Sequence, residues 1–188
     1  ASMYRSATFG VGKLVVAGFV FRDAYVNARR APSGWVIDVE GPETIGRVTV
    51  PMDLKTGTPI ALDLERLWIF EHEEGPPGET IDPRTLPALD IRVEDAALGK
   101  WHIGGLQTTI SKTADGLVAN PIAVHGTSFS ATGEGSWRVN PERPEEQHSE
   151  VRLAADSSDV QDTLEQLGFD KILSGKSAKL KAEMDWPG

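Results

Sequence analysis

Residue types that act in enzymes are present in this chain, but their spacing supports no metal site. The segment Glu-His-Glu-Glu-Gly around His72 contains side chains of the kind that bind metals. Metal ligands must converge from positioned elements with supporting groups behind them, and consecutive residues of an acidic loop do not provide this. The other histidines, His102, His125 and His148, share no motif spacing with it. We therefore expect a solvated charged loop at His72, with no bound metal and no cofactor.

The carboxylates do not indicate an enzyme either. The chain has 28 Asp and Glu residues, and many of them, such as Asp38, Asp63, Asp90 and Glu183, alternate with apolar residues. A glycosidase needs two carboxyl groups held about 5 to 10 Å apart in a cleft. There is no Gly-x-Ser-x-Gly segment for a serine nucleophile. We expect no enzymatic activity. A hydrolase that uses an Asp/Glu pair is a distant third hypothesis, after the two that are given at the end of this section.

Composition excludes several other classes of protein. The net charge of -9 disfavours binding to nucleic acid phosphates, and no cluster of Lys or Arg offsets it. The absence of cysteine excludes disulfides and thiolate sites. No run of 18 apolar residues is present, so this segment does not itself span a membrane. The first three residues, Ala-Ser-Met, are typical of an expression scar.

The apolar residues repeat with a period of two, which predicts β-strands with one apolar and one charged face. The alternation is clearest in five segments, whose apolar positions include Trp35, Ile37 and Val39; Ile60, Leu62, Leu64 and Trp68; Leu89, Ile91 and Val93; Val151, Leu153 and Ala155; and Ala178, Leu180, Ala182, Met184 and Trp186. Turn residues separate these segments. Clean alternation favours antiparallel strands that are wetted on one face. The predicted fold class is mainly β, an antiparallel β-meander.

Two segments depart from this alternation. Residues 158–167 place Val160, Leu164 and Leu167 on one helical face, with Ser158 and Gln161 in capping-box spacing and Gly168 at the end. This predicts one short amphipathic helix that covers part of the sheet. Residues 71–87 are acidic, rich in proline and aperiodic, which predicts a long connection that is mobile or draped over an edge.

The five tryptophans add a hint of function. Their positions are 35, 68, 101, 137 and 186, and the strand alternation places Trp35, Trp68 and Trp186 on apolar faces. Two interpretations stay open for these faces. They are either an ordinary core or the lining of an open groove for an acyl chain or another apolar ligand.

Three stretches together resemble a known family, and they occur in the family's order. The first is GWVIDVEGPETIGRVTVPMDLKTGTPIALDLERLWI, which resembles a segment of YhdP-type proteins with a tryptophan-containing strand, a G-P-x-x-x-G-x-V turn and strand, and an L-x-L-x-x-L-x-I strand. The second, LPALDIRVEDAALGKWHIGGLQTTI, is similar to the family's P-x-L-D-x-x-V-x-D-x-x-x-G and G-x-L strands. The third is FSATGEGSW followed by LEQLGFDKILSGKSAKLKAEMDWPG, similar to a glycine-spaced strand, a short helix and a closing W-P-G. The resemblance covers most of residues 14 to 188.

YhdP-type proteins belong to the AsmA-like group, to which TamB is related. The resemblance implies a large Gram-negative envelope protein with an N-terminal inner-membrane anchor and a long periplasmic β-rich body. It implies that the body is a curved sheet with a hydrophobic groove, which conducts phospholipid between the inner and outer membranes. Residues 1–188 would then be a single β-rich fragment from the C-terminal half of the parent, soluble by itself and bordered by neighbouring segments of the parent chain. The family pattern contains no catalytic residues to carry over.

The leading hypothesis is therefore a non-enzymatic section of a lipid-transporting envelope protein. The residues that we expect to line an apolar groove for phospholipid acyl chains are Ile37, Val39, Leu62, Leu64, Ile91, Val93, Leu153, Leu180 and Met184. Any of them is alternatively core beneath the helix. The second hypothesis is a structural or interaction module without a ligand, in which exposed edge strands dock a partner. The last segment, which ends at Trp-Pro-Gly, is interpreted as a strand running into a turn within a longer sheet.

Overall fold

The chain forms one large sheet with a single short helix in its described part. The computed structural model describes residues 6–16, 19–70, 81–143, 146–170 and 175–187. The predicted scar at residues 1–3 and His72 lie outside these ranges. The strands are β1 (Ser6–Val16), β2 (Phe19–Ala31), β3 (Gly34–Glu40), β4 (Thr44–Pro51), β5 (Ile60–Ile69), β6 (Leu89–Leu98), β7 (Trp101–Lys112), β8 (Gly116–His125), β9 (Phe129–Val139), β10 (Gln147–Ser157) and β11 (Ala178–Pro187), and the helix is α1 (Val160–Gln166).

The eleven strands lie side by side in the order in which they occur along the chain. The sheet is curved and does not close on itself, which confirms the predicted mainly β, curved fold with one helix. Nine of the ten neighbouring pairs are antiparallel, and β5 pairs with β6 in parallel. That pair departs from the predicted antiparallel meander, because alternation within a strand does not reveal the direction of its neighbour.

The parallel pair requires the chain to return from the end of β5 to the start of β6. Part of this connection is described, and it packs on the sheet. A 3₁₀ turn at Pro83–Thr85 contacts β8 and β9, and the Pro83 side chain is fully buried. The Gln147 side-chain amide donates a hydrogen bond to the carbonyl oxygen of Ile81 at 2.9 Å. The described part of the predicted 71–87 loop is therefore anchored on the sheet and not draped over an edge; residues 71–80 lie outside the description.

β-Bulges interrupt the register of the sheet, and each bulge bends a strand and increases its twist. The register shifts between Ile45 and Gly46 on β4, where β5 contributes Glu65 as an extra residue. A second irregularity lies on β6, between Val93 and Ala96. Gly46 has a φ of 144°, and a Cβ atom there would lie 2.5 Å from the carbonyl oxygen of Asp63. Glycine is therefore required where β4 crosses this bulge.

The helix lies at one end of the sheet rather than over its middle. It begins at Val160 and its N-cap is Asp159, whose side chain accepts a hydrogen bond from the backbone of Asp162 at 3.1 Å. The predicted capping box at Ser158 is wrong, because Ser158 instead donates its backbone N–H to the carbonyl oxygen of Ser128 at 2.8 Å. Among the described residues, no helix is long and apolar enough to cross a bilayer.

Candidate functional site

The cross-strand register places an unbroken row of side chains across all eleven strands. Paired residues of neighbouring strands lie on the same face of a sheet, so such a row can be followed from partner to partner. The row, here called the first row, is Phe9, Val26, Val39, Gly46, Leu64, Val93, Leu106, Val124, Ala131, Ala155 and Leu180. It contains no polar side chain.

A second row runs beside the first and also crosses every strand. Its members are Ala7, Ala28, Ile37, Val48, Leu62, Ile91, Thr108, Ile122, Gly133, Leu153 and Ala182. Thr108 is its one polar member, and the Thr108 hydroxyl is buried without a hydrogen-bond partner among the described residues. A third, shorter row on the same face includes Val151 and Met184. We call the surface formed by these rows the apolar face.

All nine residues predicted to line a groove lie on the apolar face, but they differ strongly in exposure. Leu64 and Val93 are only 4% and 2% exposed and form the centre of the core with Ala96. Leu180 and Met184 on β11 are 62% and 47% exposed. The other five, Ile37, Val39, Leu62, Ile91 and Leu153, are half-buried. The apolar face is thus closed at β5 and β6 and open at both edge strands, since Phe9 on β1 is also 48% exposed.

Two elements border the apolar face at opposite ends of the strands. At the end where β8 turns into β9, α1 is tied down by a hydrogen bond of 2.9 Å between the hydroxyls of Ser128 and Thr163. At the opposite end, the Pro83–Thr85 turn rests on β8 and β9. The Trp137 indole donates to the side-chain oxygen of Gln147 at 2.7 Å, and this orients the Gln147 amide toward the turn. Within the described residues there is no second sheet, so these two elements leave the β10 and β11 part of the apolar face uncovered.

The opposite face of the sheet carries rows of alternating charge. Asp38 accepts a hydrogen bond from the Nε atom of Arg47 at 2.7 Å, and Arg29 lies 3.7 Å from its other oxygen. The hydrogen bond from Arg47 is the main reason why the pKa of Asp38 lies below its usual range. Arg152 lies within ion-pair distance of Glu134, Glu150 and Glu183. The charged face therefore carries ion pairs between neighbouring strands, and its side chains are largely exposed to solvent, as alternation predicts.

The charged face also contains a depression and several carboxyl groups whose pKa is shifted. A depression of about 830 Å³ reaches this face and is lined by both acidic and basic side chains, including Asp38, Arg47, Asp63 and Arg92. The carboxyl groups of Asp38, Asp82 and Asp115 all have a lowered pKa. A general acid at neutral pH requires the opposite shift. No group of three or more potential ligands that could hold a metal occurs among the described residues.

The tryptophans fall on the two faces differently from the prediction. Trp35 and Trp186 lie on the apolar face, opposite Val50 and Ser149. The placement of Trp68 there is wrong: Glu65 is an extra residue of β5, so the alternation reverses after it. Trp68 instead donates its indole N–H to Asp95 at 3.0 Å on the charged face.

Two further tryptophans belong to the apolar face and were not predicted there. Trp101 pairs with Leu98, and Trp137 pairs with Leu117. For Trp137 a signal exists in the sequence, because Gly133, Gly135, Trp137 and Val139 alternate with polar residues.

Comparison with known proteins gives one result. A family model described as YhdP protein matches residues 5–188, which is nearly the whole chain. No curated protein and no solved structure matches the chain.

Proposed function

The chain belongs to the YhdP family of AsmA-like envelope proteins, and from this premise we propose that its apolar face carries phospholipid acyl chains through the periplasm, between the inner and outer membranes. The observation that supports this proposal is the first row, which crosses eleven strands without a polar side chain. The function needs no acid, base or metal. The chain acts as one section of a longer conduit.

The energetics of such a surface favour transport over tight binding. Each buried methylene contributes about 0.8 kcal/mol, so even partial burial on half-exposed side chains competes with water for an acyl chain. Neighbouring rows offer nearly equal contacts, since apart from Phe9 in the first row and Thr108 in the second they consist of glycine and of small and medium aliphatic side chains. A chain can therefore move from one row to the next without crossing a large barrier. The charged face opposite keeps the section in water.

A fluorescent fatty acid tests the proposal on delipidated protein. Leu180→Asp puts a carboxylate into the open part of the apolar face, and Lys181→Asp puts the same group on the opposite face of the same strand. We expect Leu180→Asp to weaken binding about tenfold or more, because burial of a leucine contributes roughly 1.5–3 kcal/mol. Lys181→Asp should leave binding within about twofold, since surface charges contribute little. Absence of binding by the unsubstituted protein, or equal losses in both variants, would refute the proposal.

A second candidate function is a docking module without a ligand, which the two edge strands favour. β1 and β11 each pair on one side only among the described strands, and β11 exposes Leu180, Met184 and Trp186. In this case a neighbouring segment of the parent chain would pair with β11. Cysteine cross-linking from Lys181→Cys in the parent protein distinguishes the two candidates. A permanent cross-link to one segment, together with no fatty acid binding, would support docking.

A further inference from the structure

One cavity lies at the end of the apolar face where the β6–β7 turn meets the end of β5. It has a volume of about 350 Å³, within the range of small-molecule sites. Its side chains are almost all apolar, and they are Phe19, Ile69, Phe70, Leu98, Lys100 and Trp101. Phe19 is the first residue of β2, and its presence here means that the curled sheet brings β2 across to β5.

The strand ends build this cavity directly onto the apolar face. Ile69 pairs with Leu98, and Leu98 pairs with Trp101. The backbone N–H of Gly99 donates to the carbonyl oxygen of Ile69 at 2.7 Å, which holds the tight turn against β5. Ile69 follows Leu67 by two residues, and Leu67 packs on the core of Leu64, Val93 and Ala96. The cavity therefore continues the apolar face to the end of the strands.

The apolar side chains around this cavity remain open to water. Phe70, Leu98 and Trp101 are between 41% and 54% exposed. Exposed aromatic and aliphatic groups that are gathered at one place indicate a binding surface, whereas single exposed ones do not. Their common location at a cavity mouth favours a ligand with an apolar chain.

A positive charge at the edge of the cavity indicates which headgroup such a ligand would carry. Lys100 is the only ionisable side chain among the described residues that line the cavity. Its ammonium group lies 5.7 Å from the centre of the Phe169 ring, just beyond the end of α1. A cation beside an apolar cavity is complementary to an amphiphile with an anionic head.

We propose that this cavity is a mouth of the apolar face, at which an anionic phospholipid enters with its headgroup at Lys100 and one acyl chain between Phe19, Leu98 and Trp101. The inference rests on the proposed function and adds a place of entry and a preference for headgroup charge. Trp101 is then a reporter of entry, and Trp186 on β11 is an independent reporter of the open apolar face.

Tryptophan quenching by brominated lipid tests this mouth. The probe is a phosphatidylglycerol with brominated short acyl chains, used below its aggregation concentration so that no membrane surface is present. We expect quenching to fall more in Trp101→Phe than in Trp186→Phe, because lipid that enters at the mouth lies beside Trp101 before it reaches β11. Lys100→Gln should weaken the apparent affinity about fivefold, as expected for one lysine facing an anionic lipid. Lys112→Gln, at the other end of β7, is the matched control and should change nothing.

The outcomes separate the mouth from the proposed function. Quenching that is lost in Trp186→Phe and retained in Trp101→Phe would overturn the mouth and leave the proposed function standing. No quenching of any tryptophan would overturn both. Equal affinity for the brominated phosphatidylcholine, or for a brominated free fatty acid, would overturn the assignment of an anionic phospholipid. Equal losses in Lys100→Gln and Lys112→Gln would overturn the role of Lys100.

Discussion

The difference in burial along the apolar face predicts very different effects for the same substitution at two of its leucines. Leu64 and Leu180 both belong to the first row, but they are 4% and 62% exposed. Leu64→Ala removes buried methyl groups from contact with Val93 and Ala96 and leaves a cavity, so it should lower the free energy of unfolding by about 2–5 kcal/mol. Leu180→Ala removes atoms that water already contacts, and its effect should stay within about 0.5 kcal/mol.

Urea denaturation followed by tryptophan fluorescence measures this difference. In both variants the free energy of unfolding should depend on urea concentration with the same slope as in the unsubstituted protein, because neither substitution changes by much the surface that unfolding exposes. The two variants should differ in the urea concentration at the midpoint. Ile37→Ala, at a half-buried position of the second row, should fall between them. A loss at Leu180 as large as that at Leu64 would refute the reasoning, since it would mean that β11 is covered in solution. A loss at Leu64 below about 1 kcal/mol would equally refute the closure of the face at β5.

Two further predictions concern polar groups of the two faces. Thr108→Val should raise the free energy of unfolding by about 1 kcal/mol in the same denaturation assay, because it replaces a buried hydroxyl that has no partner among the described residues by a methyl group of similar shape. Destabilisation would show that the hydroxyl is bonded. Arg47→Gln should raise the pKa of Asp38 toward its ordinary value of 3.8, as followed by NMR of the carboxyl carbon. Because its pKa is lowered in the folded state, Asp38 contributes stability above pH 3.8, and this contribution is lost as the pH falls through the lowered pKa. Arg47→Gln should therefore make the free energy of unfolding less sensitive to acid. An unchanged pKa of Asp38 in this variant would contradict the ion pair.

Alternation in the sequence was sufficient to predict the faces of most strands. The nine expected lining residues all lie on the apolar face, because the period of two is a direct consequence of the pleat. Trp68 was misplaced for a local reason. One additional residue in β5, Glu65, reverses the alternation, and nothing in the run from Ile60 to Ile69 marks it as a bulge. The glycine that accommodates this bulge, Gly46, lies on the neighbouring strand.

Other features depend on contacts between distant segments, and the alternation of apolar and polar residues does not predict them. The parallel pairing of β5 with β6 is decided by where the connection returns, and Pro83 and Gln147 hold that connection from strands far along the chain. The N-cap of α1 shifted from Ser158 to Asp159 because the backbone of Ser158 is used by Ser128. Burial was the least predictable quantity. Leu64 and Leu180 have the same pattern of neighbours in sequence, and only the curvature of the sheet separates them.

The curvature has a functional consequence for a surface that conducts acyl chains. A flat apolar sheet of eleven strands would expose its whole face and would associate with other sheets. The curled centre removes Leu64 and Val93 from water and stabilises the section without any ligand, so it contributes stability and not binding surface. The open surface then lies at the edges of the sheet, at Phe9 on β1 and on the strands that carry Leu153, Leu180 and Met184, and at the mouth beside Trp101. On this view a lipid occupies the periphery of the apolar face, and substitutions there should change binding without changing stability, whereas substitutions at the centre should do the reverse.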